Sequence, residues 1–392
     1  MFKPEKKPTA WLFVRVIDNF GDVGVAWRLA QNLRAFFAAA VHLWVDDVAA
    51  LRALAPDAAA GAVCQGVHIH AWADEAALAQ TLAALPPPQW LIETFGCNLP
   101  APVLARIALD KPLWLNWEYL SAESWAADLH AMPSLQSNGA AKYFWFMGFD
   151  PASGGLLREA DYPQQRQAFL ADTRAQAAFR QRYGLPESPA GGQSGLLFAY
   201  VSPYWPQWLA MWQAAGMPLN LWLAGGQVAD SLRAAGVIGA DDLHVPGDVW
   251  QRGGVRLQRI PFVPQAEFDR LLWLADWAVV RGEDSFVRAQ WAQLPFIWHI
   301  YPQAEAAHLP KLQAFWQQAA AAWPPALRQA HTALSAELNG GGGLSDAARQ
   351  AAWQTLQTPG LWPQAATAWA QTLQQQPSVM GKLAIFSQDT LK

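Results

Sequence analysis

Two short stretches of this chain concentrate groups capable of chemistry. The first is Asp18-Asn19-Phe20-Gly21-Asp22-Val23-Gly24. Its glycines let backbone approach a ligand closely, and a helix beginning there favours anions. The loop is itself acidic, so two carboxylates four residues apart suit proton abstraction or a cationic partner better than a phosphate. The structural alternative for Asp22 is a helix N-cap. An incomplete glycine pattern followed by Asp46 also imitates a dinucleotide fingerprint, although GxGxxG is absent.

The second stretch runs from Val279 to Trp291. A strand ends at Arg281, Gly282 makes a turn, and Ser285 begins a helix. Arg281, Ser285 and the first backbone N–H groups of that helix make a diphosphate cradle. Glu283 and Asp284 would be repelled by phosphate, but they could accept sugar hydroxyls or face a cation. The bland alternative is a capped helix with a surface salt bridge. Five polar groups between an apolar strand and an apolar helix exceed what a cap requires. Metal chemistry has no ligand set: His68 and His70 share a strand face, but no Cys, Glu or third His lies at ligand spacing. Neither a GxSxG elbow nor a Walker loop occurs.

The elements that must position these groups alternate. Strands are expected at residues 11–17, 41–45, 67–71, 90–94, 113–117 and 143–149, with helices or loops between them. Residues 163–183 read as one polar helix, and the Gly/Pro/Ser-rich run 184–192 reads as a linker. Beyond it come strands at 196–201, 219–224, 255–260, 277–281 and 296–300, with helices at 267–275 and 286–293. The tail from Ala307 is helical, broken at Gly340–Gly343 and resumed after Ser345 as N-cap. Such alternation implies two mostly parallel sheets covered on both faces, which bind ligands at the carboxyl ends of their strands.

Composition agrees. At roughly 100–200 residues per domain, 392 residues make two domains. With 53% hydrophobic and 15% charged residues, a largely disordered chain is excluded. A formal charge of −4 argues against a nucleic-acid binder. Cys64 and Cys97 form no CxxC pair, so a disulfide framework is not expected. No secretory leader and no membrane span is apparent, so a cytoplasmic protein is expected. Most of the 23 Trp residues should fill core. Two other readings stay open on the residues alone. One is an NAD-type Rossmann oxidoreductase with Asp46 on a ribose; the other is a non-catalytic sugar-binding protein with Trp stacking platforms.

Five longer strings narrow this. They are residues 15–24, Trp117-Glu118-Tyr119-Leu120-Ser121-Ala122-Glu123, Gly154-Gly155-Leu156-Leu157-Arg158-Glu159, residues 281–286, and Pro295-Phe296-Ile297-Trp298-His299-Ile300-Tyr301-Pro302-Gln303. Together they resemble the bacterial elongation factor P arginine rhamnosyltransferases. The resemblance implies an α/β GT-B glycosyltransferase with two Rossmann-like doubly wound domains facing a central cleft. Residues 1–184 would form the acceptor side, 195–361 the donor side, and 362–392 a helical tail packing back on the first domain, with Trp362 and Trp369 on its apolar face. It further implies an inverting, metal-independent transfer of rhamnose from dTDP-β-L-rhamnose to one arginine of elongation factor P, without any cofactor.

By motif, the resemblance makes Asp22 the general base, with Asp18 and Glu283 as supporting carboxylates and Asn19, Phe20 and Gly21 as the loop around them. Phe198, Tyr200 and Phe262 would stack on thymine and Gln265 would read its edge. Arg281, Asp284, Ser285 and Tyr301 would surround ribose and diphosphate. The chain departs from the family in an N-terminal extension through Ala10, in Gly191-Gly192, and in Val201-Ser202. The implied chemistry fits the residues: a guanidinium is protonated in water and has no free lone pair, so glycosylating it requires a carboxylate to orient it and accept a proton.

Overall fold

The computed structural model describes residues 8–17, 20–72 and 74–390. It divides into two compact units, one made of Met1–Ala160, Pro264–Ala266 and Gln376–Lys392, the other of Asp161–Val263 and Glu267–Gln375.

The first unit begins β1 (Thr9–Val14), α1 (Gly21–Phe37), β2 (Ala40–Val45), α2 (Val48–Leu54), β3 (Val63–Cys64) and β4 (Val67–Ala71). It continues α3 (Glu75–Ala84), β5 (Trp90–Thr94), α4 (Ala101–Asp110), β6 (Leu113–Glu118), α5 (Ser124–Leu129), β7 (Pro133–Leu135) and β8 (Ala141–Phe146). The sheet order is β3-β4-β2-β1-β5-β6-β8-β7. Its inner strands are parallel, and the short outer strands β3 and β7 run antiparallel to their neighbours. Central β1 is buried along its whole length, and its sequence TAWLFV is nearly continuous in apolar residues, as a strand covered on both faces requires. On one face Trp11, Phe13, Trp44 and Trp114 pack with Leu78 and Leu82 of α3 and with Val103 and Ile107 of α4. On the other, Phe37 of α1 meets Trp90 at 4.7 Å.

The second unit opens with α6 (Tyr162–Ala171) and α7 (Thr173–Tyr183), then β9 (Gln193–Leu197), α8 (Trp205–Ala215), β10 (Leu219–Ala224), α9 (Gln227–Ala234), β11 (Val249–Arg252) and β12 (Val255–Ile260). It proceeds through α10 (Gln265–Leu274), which belongs to this unit from Glu267 onward, then β13 (Trp277–Arg281), α11 (Asp284–Trp291) and β14 (Phe296–His299). Helices α12 (His308–Ala319), α13 (Pro325–Leu338), α14 (Asp346–Leu356) and α15 (Leu361–Gln374) follow, and α16 (Val379–Thr390) ends the chain. The sheet order is β11-β12-β10-β9-β13-β14, parallel except for the edge strand β11. Indoles build its core: Trp208, Trp212, Trp277 and Trp353 follow one another at ring separations of 5.8, 5.8 and 5.1 Å. Gly195 sits mid-strand because the Trp277 ring lies over it; a Cβ there would come within 2.7 Å of the indole.

Three sequence expectations change. Residues 163–183 form two helices, because the Asp172 carboxylate accepts from the N–H groups of Arg174 and Ala175 and so caps α7 in mid-run. The division between units falls at Ala160–Asp161 instead of at residue 184. The cause is aromatic: the Tyr162 ring lies 4.3 Å from the Arg288 guanidinium and its hydroxyl accepts from Trp273, while Phe169 packs on Trp273 and Tyr183 donates to Glu267. The run 184–192 is therefore a loop inside the second unit, starting with Gly184 as the left-handed cap of α7. The tail also divides. Trp362 packs against His331 and Trp369 donates to Gln290, so α15 and both tryptophans belong to the second unit. Only from Gln376 does the chain rejoin the first, where Trp90 donates to Ser387 and Lys382 donates to the carbonyls of Pro151 and Ser153.

Glu337 on α13 has no exposed surface. Its carboxylate accepts from Arg349 Nε and Nη2 at 2.8 Å each, from Trp208 Nε1 at 2.9 Å and from the Leu344 N–H at 2.7 Å. Arg349→Met would strand a buried carboxylate, which costs about 3–5 kcal/mol. Adding Glu337→Gln should recover much of that loss, since the remaining amide is neutral. Denaturant titration of both variants measures this, and a single variant as stable as the parent contradicts it.

Candidate functional site

The first unit gathers its polar groups where β1, β5 and β6 end. Asp22 lies in the first turn of α1, but the N-cap residue is Phe20, which makes no side-chain cap bond. The capping alternative for Asp22 is thereby replaced by another role. Its Oδ2 accepts from the Ile17 N–H at 2.9 Å and its Oδ1 accepts from the Tyr119 hydroxyl at 3.2 Å, while the carboxylate is only 2% exposed. Phe20 and Gly21 are half-buried beside it. Asp18 and Asn19 lie outside the described residues. Asp46 accepts from the Val16 N–H at 2.8 Å, so the residue that a dinucleotide reading needs on a ribose instead secures the loop after β1.

Gln265 clusters with this unit. Its Nε2 donates to the Gly24 carbonyl at 2.9 Å, and an added Cβ on Gly24 would come within 3.2 Å of that nitrogen. A glycine is thus suited to this turn of α1 by the amide that approaches it.

In the second unit, Phe198, Tyr200, Arg281, Ser285 and Tyr301 come together at the carboxyl ends of β9, β13 and β14. The Arg281 guanidinium lies 4.4 Å from the Phe198 ring and 5.0 Å from that of Tyr200, and it donates to Gln227 Oε1. Cation–π contact on two rings plus a side-chain acceptor holds this cation in one orientation. Gly282 turns the chain with φ of 60°, and Trp298 Nε1 donates to its carbonyl at 2.8 Å. Ser285 donates to the Arg281 carbonyl, fastening α11 to the end of β13. Helix α11 starts at Asp284; Glu283 occupies the cap position without a side-chain cap bond and pairs with Lys311 at 3.3 Å. Tyr200 meets Tyr301 edge-on at 5.5 Å. Tyr301 is 51% exposed and Phe262, past the end of β12, is 52% exposed, whereas Tyr200 is buried.

Tyr119, Gln227 and Lys311 carried no sequence signal of their own as site residues. Tyr119 stands inside a motif and Gln227 follows Gly225-Gly226, but only long-range contacts give them partners. Among the described residues, no group of three or more His, Cys, Asp or Glu could hold a metal ion. His42, His68 and His70 instead stack on one another, with centroids 4.6 Å apart for His42–His68 and 5.3 Å for His42–His70.

His299 lies beneath the aromatic group, and its Nδ1 accepts from the Tyr200 N–H at 3.3 Å. Burial, then the nearby Arg281 and His308 charges, push its pKa down to about 3. Below the ordinary value near 6.5 the unfolded chain takes a proton that folded His299 refuses. The stability it contributes is therefore complete above pH 6.5 and is lost as pH falls toward 3. Unfolding at pH 5 should take up about one proton fewer in His299→Gln than in the parent. Calorimetry in buffers of different ionisation enthalpy measures this, and equal uptake would place the His299 titration elsewhere.

Comparison with known proteins gives this arrangement a family. Residues 11–388 match the family model described as elongation factor P rhamnosyltransferase EarP. A protein-arginine rhamnosyltransferase of Neisseria meningitidis serogroup B is 54% identical over 348 residues, covering 88% of each chain. Its counterpart in Pseudomonas aeruginosa is 42% identical over 355 residues, covering 88% of this chain and 89% of its own. A solved structure described as the basis for EarP-mediated arginine glycosylation of translation elongation factor EF-P superposes with a TM-score of 0.68 at 31% identity, covering 98% and 99% of the two chains. Phytolacca americana UGT2, complexed with UDP-2-fluoro-glucose and pterostilbene, shares the fold alone, with a TM-score of 0.52 at 10% identity over 97% and 99%. The two Rossmann-like sheets are those of a GT-B glycosyltransferase, and the chain belongs to the EarP family of elongation factor P rhamnosyltransferases.

Proposed function

We propose that this protein transfers L-rhamnose from dTDP-β-L-rhamnose to an arginine side chain of elongation factor P, with inversion at the anomeric carbon and without a metal ion. The observation that carries the reading is the 54% identity to a protein-arginine rhamnosyltransferase across 88% of both chains. The compartment follows from the acceptor, a translation factor: the protein would act in the cytoplasm.

In this reading a guanidinium nitrogen of the acceptor forms the new bond to C1 of rhamnose as the bond from C1 to the diphosphate oxygen breaks. The nitrogen's proton passes to the Asp22 carboxylate. Each carboxylate oxygen of Asp22 has two lone pairs, so the bonds from Ile17 and Tyr119 leave acceptor capacity on the same atoms. Glu283, and Asp18 by family motif, add negative field that favours the cationic acceptor and an oxocarbenium-like sugar. The charge arriving on the departing diphosphate falls to Arg281 and to the first N–H groups of α11, with Asp284, Ser285 and Tyr301 around the ribose.

In this reading the residues of the nucleotide pocket divide the labour. Phe198 and Tyr200 face the Arg281 guanidinium, so they would act by aiming that cation, while the exposed Phe262 offers its ring face to thymine.

Two measurements test this. Asp22→Asn keeps shape and hydrogen-bonding capacity but loses basicity, so rhamnosylation followed by intact-protein mass should slow by about 10²–10⁴ while dTDP-rhamnose affinity stays within about twofold. Near-normal turnover would remove Asp22 from the reaction. Phe262→Ala should weaken dTDP binding by about 1–3 kcal/mol, the range for base–aromatic stacking. Unchanged calorimetric affinity would refute the pocket.

A further inference from the structure

Tyr119 is 40% exposed at the end of β6, yet both ends of its side chain are engaged. Its ring lies nearly parallel to that of Phe95, with centroids 4.2 Å apart and planes 16° apart. Its hydroxyl donates to Asp22 Oδ1, 97 residues earlier in the chain. The shelf beneath it is itself constrained. Phe95 adopts φ of 56°, a left-handed conformation that an aromatic residue enters only when its surroundings impose it. Those surroundings are identifiable: the Phe95 N–H donates to the Trp117 carbonyl at 2.8 Å, and the Gly96 N–H donates to Asn116 Oδ1 at 3.0 Å. The turn after β5 is thus fastened to β6 at two points, and its strained residue supplies the face on which Tyr119 rests.

From this geometry we infer that Tyr119 is a positioning residue for Asp22, setting the direction in which the carboxylate presents its lone pairs to the acceptor. A backbone N–H on Oδ2 and a phenol on Oδ1 fix the carboxylate plane from two sides. Without the phenol the Oδ1 contact of that pair is lost and the plane is set less tightly. Misaligned reacting groups lose rate steeply even when binding is intact. This inference rests on the proposed role of Asp22 as proton acceptor.

Tyr119→Phe removes one oxygen and keeps the ring on Phe95, so the fold should persist with the melting temperature lowered by only about a few degrees. Steady-state rhamnosylation of elongation factor P should show kcat lowered about tenfold, with the donor KM within about twofold. The decisive measurement repeats the substitution in an Asp22→Asn background. A residue that acts through Asp22 loses its effect there, so the second change should slow the already slow enzyme by less than about twofold. An unchanged kcat in Tyr119→Phe, or the same tenfold loss in both backgrounds, overturns the positioning role while leaving Asp22 as base. Near-normal turnover in Asp22→Asn alone overturns the base assignment and this inference with it.

Discussion

A parallel sheet covered on both faces can place charged side chains cheaply only where its strands end, and both units of this chain are organised by that constraint. The interiors of β1 and β13 are buried apolar runs in which a charge would lack solvent and partners. Polar chemistry therefore collects in the turns at the carboxyl ends. In the first unit these turns carry Asp22, Phe95 and Tyr119. In the second they carry Phe198, Tyr200, Arg281 and Tyr301. Each set is assembled from three strand ends that are distant in sequence but adjacent in a sheet.

Two buried ion pairs of the second unit are built as clamps. Arg288 forms a two-point pair with Asp269 beneath the Tyr162 ring, and Arg349 does the same with Glu337. A guanidinium suits this because its planar fork satisfies both carboxylate oxygens and its face can lie on an aromatic ring. These clamps have architectural consequences. The first draws α6 into the second unit and sets the boundary at Ala160–Asp161; the second ties α14 to α13 and, through Trp208, to α8.

Asp22 and Arg281 carry opposite charges, and neutral groups touch each of them. Asp22 accepts from a backbone N–H and a phenol, both neutral groups. Arg281 lies on two aromatic rings and donates to a carboxamide, contacts that orient it. Each charge is thus oriented by neutral groups supplied from elsewhere in the chain.

Much of this was legible in the sequence. Parallel strands announce themselves as apolar runs, and the Ser345 cap before α14 follows from a local rule that the structure obeys, with its hydroxyl accepting from the Ala348 N–H. The motifs around Asp22, Arg281 and Tyr301 were readable because their residues are contiguous. Other features were not. Strands β3, β7 and β11 are two to four residues long and exist only through antiparallel pairing with an edge, so no run of residues marks them. Residues 163–183 look like one helix until Asp172 is seen to cap the second half. Asp22 carries the signature of an N-cap, and only the fold assigns it to Ile17 and Tyr119 instead. Local composition thus determined the elements, the α/β class and the motifs, because propensity and periodicity act over a few residues. Tertiary structure alone decided the unit boundary, the tail's division and the partners of each charge, because those depend on contacts between residues up to about 300 positions apart, such as Trp90 with Ser387.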